Sequence, residues 1–239
     1  MKLRIFPLEN EIIFGDWVNV LEINNPKLFS NIVWSIDAII NGEKGKEQIV
    51  AIDETGIVDM TKECLLLIDP LHLDFGQKRF SSKLLQMIEE MYNNDYELKE
   101  KILHYLSEIN YLFQSIFDEF SFDISYKNAG VQDYLKMISP KIDMGGNRTP
   151  LENLFGLIDV ITEFRLVKLL FLCNMKSFFT NKELVELYKY SLYKKINLLM
   201  VEPRCVSELL EYERKVVVDE EFDDFLVGHK TIQNGRFFR

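Results

Sequence analysis

Four carboxylates, Asp118, Glu119, Asp123 and Asp133, fall where a long helical pattern gives way to a loop and then to a shorter helix. Hard cations such as calcium take several oxygen ligands, and a helix-to-loop junction supplies carboxylates and free carbonyls together. The spacing is not that of an EF-hand, and on residue types alone a solvated acidic face is the stronger reading. Basic residues occupy the same region, in GQKRFSSK (Lys78, Arg79, Lys83) and around the short helix (Lys127, Lys136, Lys141). Such a surface can track a phosphate backbone without reading bases. Ordinary helix solubility explains either group taken separately about as well.

Other chemistry finds less support. His72, His104 and His229 are far apart and form no HExxH or comparable ligand pair, which argues against zinc. His104 lies one turn from Glu100 and Glu108, a pattern that solvated helix faces produce routinely. Asp69 closes an apolar strand, where an α/β protein can hold magnesium. No GxxxxGK(S/T) loop accompanies it, so a cap on the turn before Pro70 is the favoured reading. There is no Gly-x-Ser-x-Gly elbow. Cys64, Cys173 and Cys205 lack CxxC spacing and read as reduced, core-type thiols of a cytosolic protein.

These residues must be positioned by a mixed framework. LVKLLFLCN (Leu166 to Asn174) and KINLLMVEPR (Lys195 to Arg204) are short continuous apolar runs, as expected of strands covered on both faces of a parallel sheet. Thr180 and Glu183 between them form a capping box, so the stretch reads as β-α-β. Thr149-Pro150-Leu151-Glu152 opens another helix, and Asn25-Pro26 a third that stops at Asn41-Gly42. KLRIF, EIIF and WVNVLEI read as short strands of an edge hairpin. From about Ser81 the period becomes helical, with one helix expected from Asp95 to about Phe120 and a short one from Val131 to Ile138. The expected fold is therefore α/β, a parallel-sheet core related to nucleotide-binding α/β folds but without a phosphate loop, carrying an inserted helical domain. The expected boundaries are 1–74 with 144–239 for the head and 75–143 for the insertion.

The chain has 239 residues, 47% of them hydrophobic, enough for a substantial core. KLRIFPLENE has no apolar signal-peptide core, and no apolar run is long enough to cross a bilayer, so a soluble, cytoplasmic protein is expected. A formal net charge of −10 opposes binding to nucleic acid unless the lysines are concentrated on one surface while carboxylates lie elsewhere or hold cations.

Taken in order, the elements resemble one family, the ring-forming CRISPR-associated adaptation protein of type II-A systems. The residues that carry the resemblance are LLMVEPR (Leu198 to Arg204), LLLIDPLHLDF (Leu65 to Phe75) and LVKLLFLCNMKSFFTNKELVELYKY (Leu166 to Tyr190). It implies a head without a working phosphate loop, and a helical domain that assembles a tetrameric toroid around double-stranded DNA ends. It implies calcium near the end of the long helix, at Glu119, Asp123 and Asp133 with Asp118 adjacent. Where the family tends to have further acids this chain has Lys127-Asn128, of which Asn128 retains an oxygen. Lys78, Arg79, Lys83, Lys136 and Lys141 are the residues nominated for the lysine-lined hole that the resemblance implies holds DNA. The implied role is non-catalytic support of spacer acquisition, with the CRISPR integrase proteins and the type II effector nuclease as partners. Two other classes fit the residues: a divergent metal-dependent nuclease or nucleotide phosphotransferase, and a protein-binding scaffold.

Overall fold

The computed structural model describes residues 1–146, 148–203 and 208–227. Arg204 of the LLMVEPR motif, Cys205, His229 and the tail from Gly228 onward lie outside the described residues. In chain order the elements are β1 (Lys2–Ile5), β2 (Ile12–Ile13), β3 (Val18–Ile23), α1 (Pro26–Ile40), β4 (Ile49–Asp53), β5 (Gly56–Ile57), α2 (Met60–Glu63) and β6 (Cys64–Leu67). Then come α3 (Lys78–Asn94), α4 (Tyr96–Phe117), α5 (Val131–Ile138), α6 (Pro150–Glu163), β7 (Leu169–Cys173), a 3₁₀ turn at Met175–Ser177, α7 (Asn181–Tyr193), β8 (Asn197–Glu202), β9 (Glu213–Val218) and β10 (Asp224–Val227). They fall into two compact units: the described residues of Met1–Leu73 and Gly146–Arg239 form the head, and Asp74–Gly145 forms a helical unit.

The head is built on a six-stranded sheet of order β10-β9-β3-β8-β7-β6. Every pairing is parallel except that of β10 with β9. Strands β3 and β7 are buried at every position, the burial expected when helices or a second layer cover both faces. On one face Leu21, Ile23, Phe171, Leu199 and Val201 join Leu28, Ile32 and Ile36 of α1 and Leu3 and Ile5 of β1 in one core. A small antiparallel sheet, β2-β1-β4-β5, belongs to this layer.

Local sequence explains where the helices begin. In α1 the Asn25 side chain accepts from the N–H groups of Lys27 and Leu28 at 3.0 and 3.1 Å, with Pro26 in the first turn. Thr149–Glu152 and Thr180–Glu183 close reciprocal capping boxes at α6 and α7. Gly45 is required by a close approach: a Cβ there would meet that of buried Ser35 at 2.8 Å. Ser35 in turn accepts from the Glu47 N–H at 2.9 Å and donates to the Asn31 carbonyl at 2.7 Å, fixing the loop after α1.

Some expectations need correction. WVNVLEI is not part of an edge hairpin: β3 lies in the middle of the parallel sheet, and only β1 and β2 pair as expected. Its apolar residues face both sides, Val18 and Val20 one way and Leu21 and Ile23 the other, which suits a central strand. The long helix ends at Phe117, with Asp118 as its C-cap, rather than near Phe120. After Pro203, ERKVVV forms a further parallel strand, and the acidic DEEFDD run is the bend into β10.

Thr180→Ala should destabilise the protein by about 1 kcal/mol, because the Glu183 N–H loses its acceptor at the start of α7. Urea titration followed by circular dichroism checks this, with Thr180→Ser expected to stay close to the parent.

Candidate functional site

In the helical unit, residues from distant parts of the sequence are tied together around the end of α4. The Asn110 amide donates to the Ala129 carbonyl and accepts from the Ala129 N–H, both at 3.2 Å. This reciprocal pair, with the Phe117 and Tyr126 rings 4.9 Å apart and tilted by 54°, folds the loop back along α4. Asp118 ends the helix, and Glu119 and Asp123 follow it exposed. Asp133, in the first turn of α5, accepts from the Gly130 N–H at 3.2 Å and pairs with Lys127 at 3.5 Å. That N–H, and then the Lys127 charge, hold its carboxyl below the ordinary range. Among the described residues no three His, Cys, Asp or Glu side chains are gathered as a metal-holding group. The four acids are therefore not gathered into one group.

The basic residues are brought closer than their sequence positions suggest. Lys136 at the end of α5 and Lys141 beyond it line a cavity of about 310 Å³ with Ser81, Leu84 and Leu85 of α3. The same turns of α3 carry Lys78, Arg79 and Lys83, whose ammonium donates to Gln86 at 3.1 Å. Arg79 lies over the Phe80 ring, 5.9 Å from its centroid. The start of α3 and the end of α5 therefore form one neighbourhood of positive charge. Asp69 behaves as a turn cap: its carboxylate accepts from the Leu71 N–H and meets His72 Nδ1, both at 2.7 Å. His104 is exposed on α4, its ring beside that of Tyr105.

The strongest concentration of charge was missed in the sequence. Register places Glu22 of β3 opposite Glu202 of β8, and Val20 opposite Lys215 of β9. Alternation then puts Glu22, Glu202, Glu213 and Lys215 on one face of the sheet. All four are buried. Lys176, from the 3₁₀ turn after β7, donates to Glu22 at 2.8 Å and to Glu213 at 2.7 Å, while Lys215 lies 3.0 Å from Glu22. Burial pushes the Glu22 carboxyl up, but its bonds to Lys176 and Lys215 outweigh that and leave it below the ordinary range. Glu202 has no lysine on its carboxylate; it accepts from the Met175 and Lys176 backbone N–H groups at 2.9 and 3.2 Å, and burial pushes it up to about 7. Tyr188 of α7 is fully buried nearby, its hydroxyl without a hydrogen-bond partner among the described residues. The available signal was a glutamate inside each of two apolar runs, VNVLEI and LLMVE.

The family model for CRISPR-associated protein (Cas_Csn2) matches residues 42–222, and the chain belongs to that family. The CRISPR-associated protein Csn2 of Streptococcus agalactiae is 22% identical over 232 residues, spanning 95% of this chain and 98% of that one. The crystal structure of Stu0660 of Streptococcus thermophilus superposes with a TM-score of 0.52 at 12% identity, covering 91% of this chain and 74% of the other. The resemblance read from the sequence holds at the level of the family, and membership supports a role associated with CRISPR adaptation. No helix among the described residues is long and apolar enough to cross a membrane.

Lys215→Met should cost about 3–5 kcal/mol, because it leaves buried carboxylates short of a cation. Denaturant unfolding measures the loss, and adding Glu22→Gln to the same chain should recover part of it.

Proposed function

We propose that the protein is a non-catalytic, sequence-independent binder of double-stranded DNA ends. In this reading it closes into a calcium-stabilised homotetrameric ring in the cytoplasm and supports spacer acquisition with the CRISPR integrase and the type II effector nuclease. The observation that carries the reading is how little core the helical unit has. Between Asp74 and Gly145 only Phe80 and Leu135 are buried hydrophobic residues. None of the 22 residues of α4 is buried, and Leu98, Leu103, Ile109, Leu112, Phe113 and Ile116 are exposed along it. A unit of this size with so little buried apolar surface needs a partner to be stable. A second copy of the same helix offers the apolar face that would cover it.

Closed symmetry would repeat the remaining features around an axis. Lys78, Arg79, Lys83, Lys136 and Lys141 supply one positive neighbourhood per copy, and four copies would give a basic lining despite the net negative charge. Asp118, Glu119, Asp123 and Asp133 require further oxygen donors to hold calcium, which loop carbonyls, Asn128 or a neighbouring copy can provide. The strand order of the head, with crossovers through α1, α6 and α7, supports a relationship to nucleotide-binding α/β folds. Where such a fold turns its phosphate loop, β3 runs through Asn24-Asn25 straight into α1, and buried carboxylates stand at the ends of β3 and β8.

The test is a gel-shift titration of full-length protein against linear and covalently closed duplexes of one sequence, in calcium and then in chelator. Calcium-dependent retention of linear DNA, weakening by orders of magnitude as salt is raised, is expected. Equal retention of both forms would overturn the end-binding ring, and DNA cleavage abolished by Asp123→Ala would replace it with a nuclease. Asp123→Ala is otherwise expected to raise the calcium concentration needed for tetramer formation, read by analytical ultracentrifugation.

A further inference from the structure

The buried charges of the head contain one carboxylate that the ion pairs do not serve. Glu22 and Glu202 are register partners on adjacent parallel strands, roughly 4.8 Å apart along the ladder, and both side chains lie on the same face. Lys176 and Lys215 direct their ammonium groups to Glu22 and Glu213. Glu202 is 2% exposed and, among the described residues, receives only main-chain donors, from the 3₁₀ turn. Burial among so little water disfavours an ionised Glu202, and the charge of Glu22 on the neighbouring strand adds to that, so the strain is relieved when one carboxyl takes up a proton. The group without a lysine is the one that takes it.

We propose that Glu202 is protonated in the folded head on the acid side of neutrality, and that this makes the carboxyl edge of the parallel sheet a pH-responsive element, more stable with Glu202 neutral than with Glu202 ionised. One oxygen continues to accept from the turn while the other carries the proton. The titratable and charged groups around it are Glu22 on β3, Lys176 on the turn and Tyr188 on α7, with Glu213 and Lys215 of β9 on the same face beyond β3, and with Cys173 of β7 close enough to feel its charge from the other face. Burial, and then the charge of Glu202, also push the Cys173 thiol up to about 12. Neither Cys173 nor Tyr188 therefore titrates in competition with Glu202 near neutrality.

The sign follows from linkage. The folded Glu202 carboxyl lies at about 7, against its ordinary 4.5. Between those values the folded state holds a proton that the unfolded state has released, so this group's contribution to stability is lost as pH rises through about 7. Glu22, shifted the other way, contributes stability above the ordinary carboxyl range and loses it only in acid.

Glu202→Gln retains the carbonyl acceptor for the turn and cannot ionise. The experiment is urea unfolding of full-length wild type and Glu202→Gln across pH 5 to 8. The ratio of their unfolding constants, wild type over variant, should rise on the order of a hundred-fold across that range. A flat ratio would overturn the proposal. Infrared spectroscopy of the wild type alone keeps the test open should the variant fail to fold. The C=O stretch of a protonated, buried carboxylic acid should be present below neutrality and vanish as pH rises through it. Absence of that band in acid-side buffer, with the protein folded, would also overturn the proposal.

Discussion

The head depends on a cost met in its middle strand. β3 is buried at all six positions, and one of the six is Glu22. Burying an unpaired carboxylate costs several kcal/mol, a large fraction of the stability of an ordinary domain. The fold offsets this from two directions, with Lys215 from the neighbouring strand β9 and Lys176 from the turn after β7. Both lysines reach Glu22 only if β9 lies on one side of β3 and β8 and β7 lie in order on the other. The ion pairs therefore tie the strand order to side-chain chemistry, which apolar packing alone would not do. A shift of β9 by one residue against β3 would send Lys215 to the opposite face, among Leu21, Ile23 and the α1 core.

Much of this framework was legible because its signals are local. Asn25-Pro26, Thr149 to Glu152 and Thr180 to Glu183 act through bonds within one turn, and each helix starts where its cap stands. The continuous apolar runs LLFLC and NLLMV read as doubly covered strands for the same reason. What escaped depends on neighbours remote in sequence. VNVLEI has the length and composition of an edge or a central strand, and only pairing with β8 and β9 decides between them. ERKVVV carries three charges in its first half, which obscured a strand whose Lys215 and Glu213 are satisfied by residues far along the chain. The candidate site divides in the same way. The residue types at Asp118 to Asp133 and at Lys78 to Lys141 were visible, but the approach of α5 to the start of α3 was not. The buried charge network is the extreme case, since it gathers side chains from β3, β8, β9 and the turn after β7.

The two units manage water in opposite ways. The head buries four charged side chains, Glu22, Glu202, Glu213 and Lys215, and supplies each with hydrogen-bond or ion-pair partners. The helical unit leaves aromatic and aliphatic residues exposed along the length of α4. The head resembles a self-sufficient domain, and the helical unit resembles half of an interface.

The insertion between β6 and α6 begins and ends close to one place in the head. β6 and β7 pair in register from Cys64 and Leu169, and the Asn153 side chain of α6 donates to the Pro70 carbonyl at 3.1 Å. The strand leaving the head and the helix re-entering it are thus fastened to each other on the head's own side. To the sheet, whatever chain runs between them is an excursion from a closed loop. Its length and sequence can drift without changing the register of the strands, so the helical unit can evolve at the pace of whatever it binds while the head keeps the geometry its buried charges demand.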